Sequence, residues 1–285
     1  MMEIRRPTST KALVAILAIY ASARGVEVAT GFPQTSIVAF EVLSAMAFAL
    51  VDGARHYGWR GILVFAAICA VIGNVVENVG VATGVPFGRY EFLELMGPRL
   101  FHVPVLLGPA YIGMAYVSWM LARLIVGSTS TPVVALPVAS AIMVTWDWAQ
   151  DPVWATLLHA WKWRDGGPWF GVPLSNYLGW FLTVTLIYIA FSIYLRKWPA
   201  GDAGRGRGAL WPPIAFYALC AGGNAMQVFT RLPQQAAVDA SGRTWPVADI
   251  LAASALVSVF AMGGFALAGA WRLLSSKADP SLRSG

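Results

Sequence analysis

Three carboxyls, Glu77, Asp147 and Asp151, interrupt stretches that are otherwise apolar: GNVVENVGVATG around the first and WDWAQDPVW around the other two. At about 100° per residue, Asp147 and Asp151 point the same way from a helix, with Trp154 near that direction and Trp146 and Trp148 to either side. Asn74, Glu77 and Asn78 share a face in the same manner, beside a stripe of Gly73, Gly80 and Gly84 suited to close helix packing. Pro152 removes the hydrogen bond to the carbonyl of Trp148 and kinks its helix, which a membrane helix tolerates beside protein or a cavity.

Such a set suits acid chemistry. Desolvation favours the neutral carboxylic acid over its anion, and an acid so held donates a proton near neutral pH. An alkene protonated there becomes a carbocation, which an indole face stabilises by about 2 kcal/mol when desolvated. Water or a second alkene then captures it. The bland alternatives are that the asparagines only pair helices, that the tryptophans form an interfacial belt, and that Asp151 pairs with Arg89 or Arg164. The belt accounts for Trp59, Trp198, Trp211, Trp245 and Trp271 near span ends, but less well for seven of thirteen tryptophans falling between 146 and 180.

Other chemistries lack their parts. His56, His102 and His159 stand in separate segments without paired spacing, so neither a metal site nor oxygen activation is expected. There is no Gly-x-Gly-x-x-Gly fingerprint, P-loop or Gly-x-Ser-x-Gly elbow. No cofactor is expected. Basic residues are scattered over loops rather than gathered on an aromatic-studded helix, which excludes nucleic acid as a partner.

The elements that must position these groups are membrane helices. With 58% hydrophobic and 12% charged residues in 285, the composition is that of a polytopic membrane protein, all-α. Eight apolar runs are near the ~20 residues that cross a bilayer: 12–30, 36–51, 61–83, 101–124, 132–155, 170–195, 211–229 and 247–271. Arg24 and Glu27 in the first run, and its lack of a cleavage site, mark it as a retained helix. Cys69 and Cys220 fall within spans as core residues.

A cytoplasmic N-terminus places 13 of the 20 Lys and Arg on the cytoplasmic side and six opposite, with Arg24 left inside the first span. Both termini are then cytoplasmic, and Glu27, Glu41, Asn74, Glu77, Asn78, Asp147, Asp151, Ser175 and Asn176 all fall in the bilayer half away from the cytoplasm. The connections TGVPFGRYEF and HAWKWRDGGPWFGVPLSNYLGW lie on that side, rich in Gly, Pro and aromatics, as a folded roof over the acids would be. The chain reads as one membrane domain, 1–285, with a core at 60–195, a flexible linker at 196–210 and two blander helices over 211–271.

ENVGVATGVPFGRYEF (77–92), GPRLFHVPVLLGPAY (97–111), DPVW (151–154) and W-x-W followed by FGVPLSNYLGW (161–180) resemble the signature blocks of the CruF-type carotenoid 1,2-hydratases, which include the bisanhydrobacterioruberin hydratases. The resemblance covers roughly 60–195. It implies cofactor-independent addition of water across the terminal double bond of an acyclic carotenoid end group, leaving a tertiary alcohol. Asp151 and Glu77 are then the candidate acid pair. Asp147, Asn74 and Asn176 support them or position water, and Tyr90, Trp148, Trp154, Trp163 and Trp180 hold the substrate or its cation. The basic balance departs from the acidic surface expected of halophilic relatives, so a bacterial inner membrane and lycopene, γ-carotene or a related substrate are expected. The runners-up are a membrane lycopene cyclase, whose Pro-x-Glu-Glu motif is replaced here by Pro173-Leu174-Ser175-Asn176, and a non-catalytic carotenoid or lipid carrier. A prenyltransferase would need a second acidic motif beside Asp147 and Asp151. A proton-coupled transporter is disfavoured by the lack of inverted repeats.

Overall fold

The computed structural model describes residues 6–31, 35–127, 132–199, 210–230 and 232–278. They are mostly helical: α1 (Arg6–Thr30), α2 (Thr35–Thr83), α3 (Leu107–Val126), α4 (Pro132–Pro152), α5 (Leu174–Lys197), α6 (Trp211–Met226), α7 (Val247–Leu256) and α8 (Gly263–Ala278). Five helical stretches are long and apolar enough to cross a membrane: Ser9–Thr30, Ser36–Thr83, Leu107–Val126, Leu174–Lys197 and Val247–Ser275.

α2 holds the second and third predicted spans. Its 49 residues break at Gly58, whose φ of 68° and ψ of 167° a residue with a Cβ rarely adopts. The break reverses the chain. Gly53 lies against Ile62, so a Cβ there would come within 2.6 Å of Ile62 Cγ1, whereas nine residues of straight helix would separate them by roughly 13 Å. Glu41 and Glu77, roughly 54 Å apart along an unbroken helix, thereby reach the same cavity. The helix before the turn outruns the predicted 36–51, starting at Thr35 and passing Val51 without interruption.

Two other boundaries differ from the sequence reading for reasons of backbone geometry. Residues 101–106 do not begin α3. Arg99–Leu100 (β2) and Val103–Pro104 (β3) form a hairpin, and Pro98 and Pro104 could not sit inside a helix without removing its hydrogen bonds. Likewise α5 starts at Leu174 rather than at 170, because Gly171 has a φ of +90° and Pro173 is extended. After Pro152 the helix widens into a π-turn over Val153–Leu157; the break is a bulge rather than a simple kink. A second π-turn, Val257–Met262, joins α7 to α8. Most of the predicted linker, residues 200–209, lies outside the described residues.

α3 is the central helix, buried from Ala110 to Ala122 and packed on α2 and α4, with α5 against α4 and α2. At Gly113 α3 lies close on α2: an added Cβ there would stand 2.5 Å from that of Ala45. Cys69 and Cys220 are buried free thiols.

Candidate functional site

The two connections read as a roof pair with one another. Tyr90–Phe92 (β1) runs antiparallel to Trp161–Trp163 (β4), matching Tyr90 with Trp163 and Phe92 with Trp161. Strand alternation turns Tyr90, Phe92, Trp161 and Trp163 onto the cavity below, and leaves Lys162 exposed. Phe87 anchors the roof as a wedge between α2 and α5: a Cβ on Gly80 or on Gly179 would come within 2.6 Å of its ring. Ser175 Oγ donates to the carbonyl of Phe87 at 2.8 Å, and the side-chain oxygen of Asn78 accepts from the backbone of His102 at 3.0 Å, tying down the β2–β3 hairpin. On the outer face Arg89 pairs with Asp165 and Arg164 with Glu91. The hydrogen bonds from Arg89 hold the Asp165 carboxyl below the usual carboxylate range. Asp151 therefore pairs with neither arginine.

Beneath this roof lies a cavity of about 100 Å³. Its walls gather Glu77, Asp147, Asp151, Asn176, Tyr90, Trp154, Trp163 and Trp180 from the sequence-based set, from α2, α4, the π-turn, the roof and α5. Glu77 accepts hydrogen bonds from Tyr90 Oη on one oxygen and from Tyr111 Oη, at 2.7 Å, on the other. Asp151 accepts from Trp161 Nε1 at 2.8 Å and from Asn176 Nδ2 at 2.7 Å, and the same Asn176 nitrogen donates to Asp147 Oδ2 at 3.0 Å. All three carboxyls are buried. Among the described residues none of them has a cationic partner. They are held by neutral donors, an arrangement compatible with the protonated form.

Aromatic faces surround the acids. Trp154 and Trp161 stack at 6.3 Å with planes 4° apart, Tyr111 and Trp180 at 4.6 Å and 8°, and Tyr90 tilts on Trp163 at 4.9 Å. Trp154 lies in the bulge after Pro152 and lines the cavity together with Asp151.

Two residues of the expected set are elsewhere. Trp148 does not line the cavity; one step past Asp147 on the helix, it turns outward, is 38% exposed and packs on Trp169 at 5.6 Å. Its counterpart Trp146 lines the wall instead. Asn74 also lies off the cavity, accepting from Asn78 Nδ2 at 3.0 Å, so this pair ties a helix face to the roof hairpin. The sequence reading missed Tyr111 and the specific role of Trp161, since a tyrosine or tryptophan in an apolar span looks like packing until its partner is known. It noted Arg24 and Glu41 without a role for either, and both line the cavity.

Residues 32–241 match the sequence model of a family described as carotenoid biosynthesis protein. The chain belongs to that family. Among curated relatives, the bisanhydrobacterioruberin hydratase of Haloarcula japonica is 30% identical over 123 residues, which is 41% of this chain and 40% of that protein. The chain thus matches well under two thirds of that relative's length. No solved structure matches. For a carotenoid biosynthesis protein, a buried apolar cavity with carboxyls under an aromatic roof is chemically apt, since carotenoid end groups are alkenes without polar handles.

Proposed function

We propose that this protein is a cofactor-independent carotenoid 1,2-hydratase: it adds water across the terminal double bond of an acyclic carotenoid end group and leaves a tertiary alcohol. The observation that carries this reading is the convergence of Glu77, Asp147 and Asp151, bound among the described residues only by neutral donors, on one aromatic cavity. Asp151 donates the proton to C2, with Glu77 beside it in the acid site. Asn176, bonded to both aspartates, holds them in register with Asp147 as support. Positive charge develops at C1 among Trp154, Trp163, Trp180 and Tyr90, where indole and phenol faces stabilise a desolvated cation, and water then adds.

The same reading makes the chain one domain of eight crossings, 1–285, with both termini cytoplasmic and the β1–β4 roof on the far side, as the basic asymmetry favours. Its setting is a bacterial inner membrane, and its substrate is lycopene, γ-carotene or a related acyclic or monocyclic carotenoid. The relative's name supports hydration over cyclisation, which would begin with the same protonation. Purified protein incubated with acyclic carotenoid separates the readings by product mass. A product one water heavier is expected; an isomer of unchanged mass identifies a cyclase, and unchanged substrate a carrier.

A further inference from the structure

The cavity has a second polar wall that the acid site leaves unused. Arg24 on α1 and Glu41 on the first half of α2 both line it, and both are buried. One Arg24 nitrogen serves Glu27 and, at 3.2 Å, Glu41; the other donates to Asn224 Oδ1 at 2.8 Å. Gln227 Nε2 donates to Glu27 Oε1 at 3.0 Å. Gly223 gives the arginine its space, since a Cβ there would stand 3.2 Å from Arg24 Cγ. The guanidinium is therefore fixed by three helices, α1, α2 and α6.

Glu41 is only half used by this network. Its Oε2 faces Arg24, while its Oε1 is buried and accepts no hydrogen bond among the described residues. An unmatched buried acceptor on a cavity wall is destabilising and is the kind of group that holds an internal water, which needs about 2–4 polar partners. The acid wall also offers one open oxygen. Both oxygens of Glu77 are taken by tyrosines and both of Asp151 by Trp161 and Asn176, leaving one oxygen of Asp147. Arg24 and Glu41 stand on α1 and the first half of α2, whereas Glu77 comes from the second half of α2 and Asp147 and Asp151 from α4. α3 contributes the apolar lining of Leu107, Ala110 and Met114. Of the four carboxyls lining the cavity, Glu41 is the one with a guanidinium beside it among the described residues.

We propose that Glu41, backed by Arg24, seats the water that adds to the substrate and takes up its proton, an inference that rests on the hydratase reading above. The acid wall gives a proton to C2, with the π pair forming the new C–H bond and the charge left at C1. The water oxygen then forms the C1–O bond as one of its O–H bonds breaks toward Glu41 Oε1. The acid wall ends as a carboxylate and Glu41 as a carboxylic acid. One proton leaves Glu41 for solvent and one returns to the acid wall, so the sum is one water added. Acid and water are then held by different carboxyls, which keeps the nucleophile away from the acid that must stay protonated.

The test separates protonation from water capture. The whole protein is incubated with acyclic carotenoid in heavy water, and two quantities are measured: alcohol formed, and deuterium entering recovered alkene when the cation loses a proton from C2 instead of gaining water. Glu41→Gln is expected to lower alcohol formation at least ~100-fold while exchange into the alkene persists, and Glu41→Asp to restore part of the hydration. Hydration within about threefold of the wild type in Glu41→Gln overturns the proposal, as does loss of both reactions in a folded variant that still binds carotenoid. If Glu41→Gln does not fold, Glu41→Asp decides: a ratio of exchange to hydration raised at least ~10-fold supports the water seat, and an unchanged ratio overturns it. Asp147→Asn controls for the competing seat; a shifted ratio there with a normal one in Glu41→Gln assigns the water to Asp147 instead. A wild-type protein lacking both reactions removes the hydratase reading and this inference with it, whereas wild-type hydration with a normal Glu41→Gln ratio removes this inference alone.

Discussion

Replacing Asp151 by asparagine keeps the shape of the side chain, yet it is not a neutral change in this site. Both carboxyl oxygens of Asp151 face donors, Trp161 Nε1 at 2.8 Å and Asn176 Nδ2 at 2.7 Å. A carboxyl oxygen accepts a hydrogen bond whether or not it carries the proton, but an amide nitrogen does not. The substituted amide can therefore satisfy one of the two donors and must set its own N–H₂ against the other. The cost is that of a buried donor left unpaired, about 1–3 kcal/mol, which for a chain of this size is a fall in thermal midpoint of roughly 2–12 °C at ~2–4 °C per kcal/mol. Adding Trp161→Phe removes the opposing N–H. The double variant Asp151→Asn/Trp161→Phe should thus be more stable than the sum of the singles by about 1–2 kcal/mol, while turnover stays at least ~100-fold below the wild type because the acid is still missing. The assay is a double-mutant cycle of thermal unfolding in detergent, run beside carotenoid turnover. Additive stabilities would refute the donor geometry, and near-normal turnover of Asp151→Asn would refute the role of Asp151.

Four further outcomes are expected. Tyr111→Phe leaves a Glu77 oxygen without its 2.7 Å donor and should lower both stability, by about 1–3 kcal/mol, and turnover; a variant matching the wild type in both would place Glu77 outside the site. Gly80→Ala should cost about 1–3 kcal/mol by driving a methyl into the Phe87 ring, read as a lower thermal midpoint. A cysteine at position 165 should be labelled from the non-cytoplasmic side; labelling from the cytoplasm alone inverts the topology. The Arg89–Asp165 contact depresses the Asp165 pKa in the folded chain. Its contribution should therefore be present at neutral pH and fade as pH falls through that lowered value, with Arg89→Gln flattening the acid limb of a stability–pH curve.

Much of the helical layout was readable because apolar runs of membrane length leave little choice of structure. The convergence of the polar residues was readable in part: of the nine expected at one depth, Glu41, Glu77, Asp147, Asp151 and Asn176 meet in one cavity. What escaped the sequence is what depends on partners far apart in the chain. Glycine and tyrosine carry no label for their role: Gly58 as a reversal, or Tyr111 as a donor to Glu77, follows only from packing. The π-turn after Pro152 could not be told from a kink, because Pro152 removes the same backbone donor in either case. Trp148 was placed with Trp154 by proximity in sequence, though one residue on a helix is a turn of about 100°, enough to send it outward. The roof was suspected from composition, but its register was not, since three-residue strands carry too little alternation to set one.

The central claim is that this cavity protonates a carotenoid end group and adds water with no bound cofactor. The measurement that tests it most directly is turnover of an acyclic carotenoid by the purified protein in heavy-oxygen water, with a chelator present and without nicotinamide or flavin. The account predicts an alcohol one water heavier than the substrate, its hydroxyl carrying the heavy oxygen of the solvent. A hydroxyl that takes its oxygen from molecular oxygen, or a reaction that stops until metal or nicotinamide is restored, would contradict it.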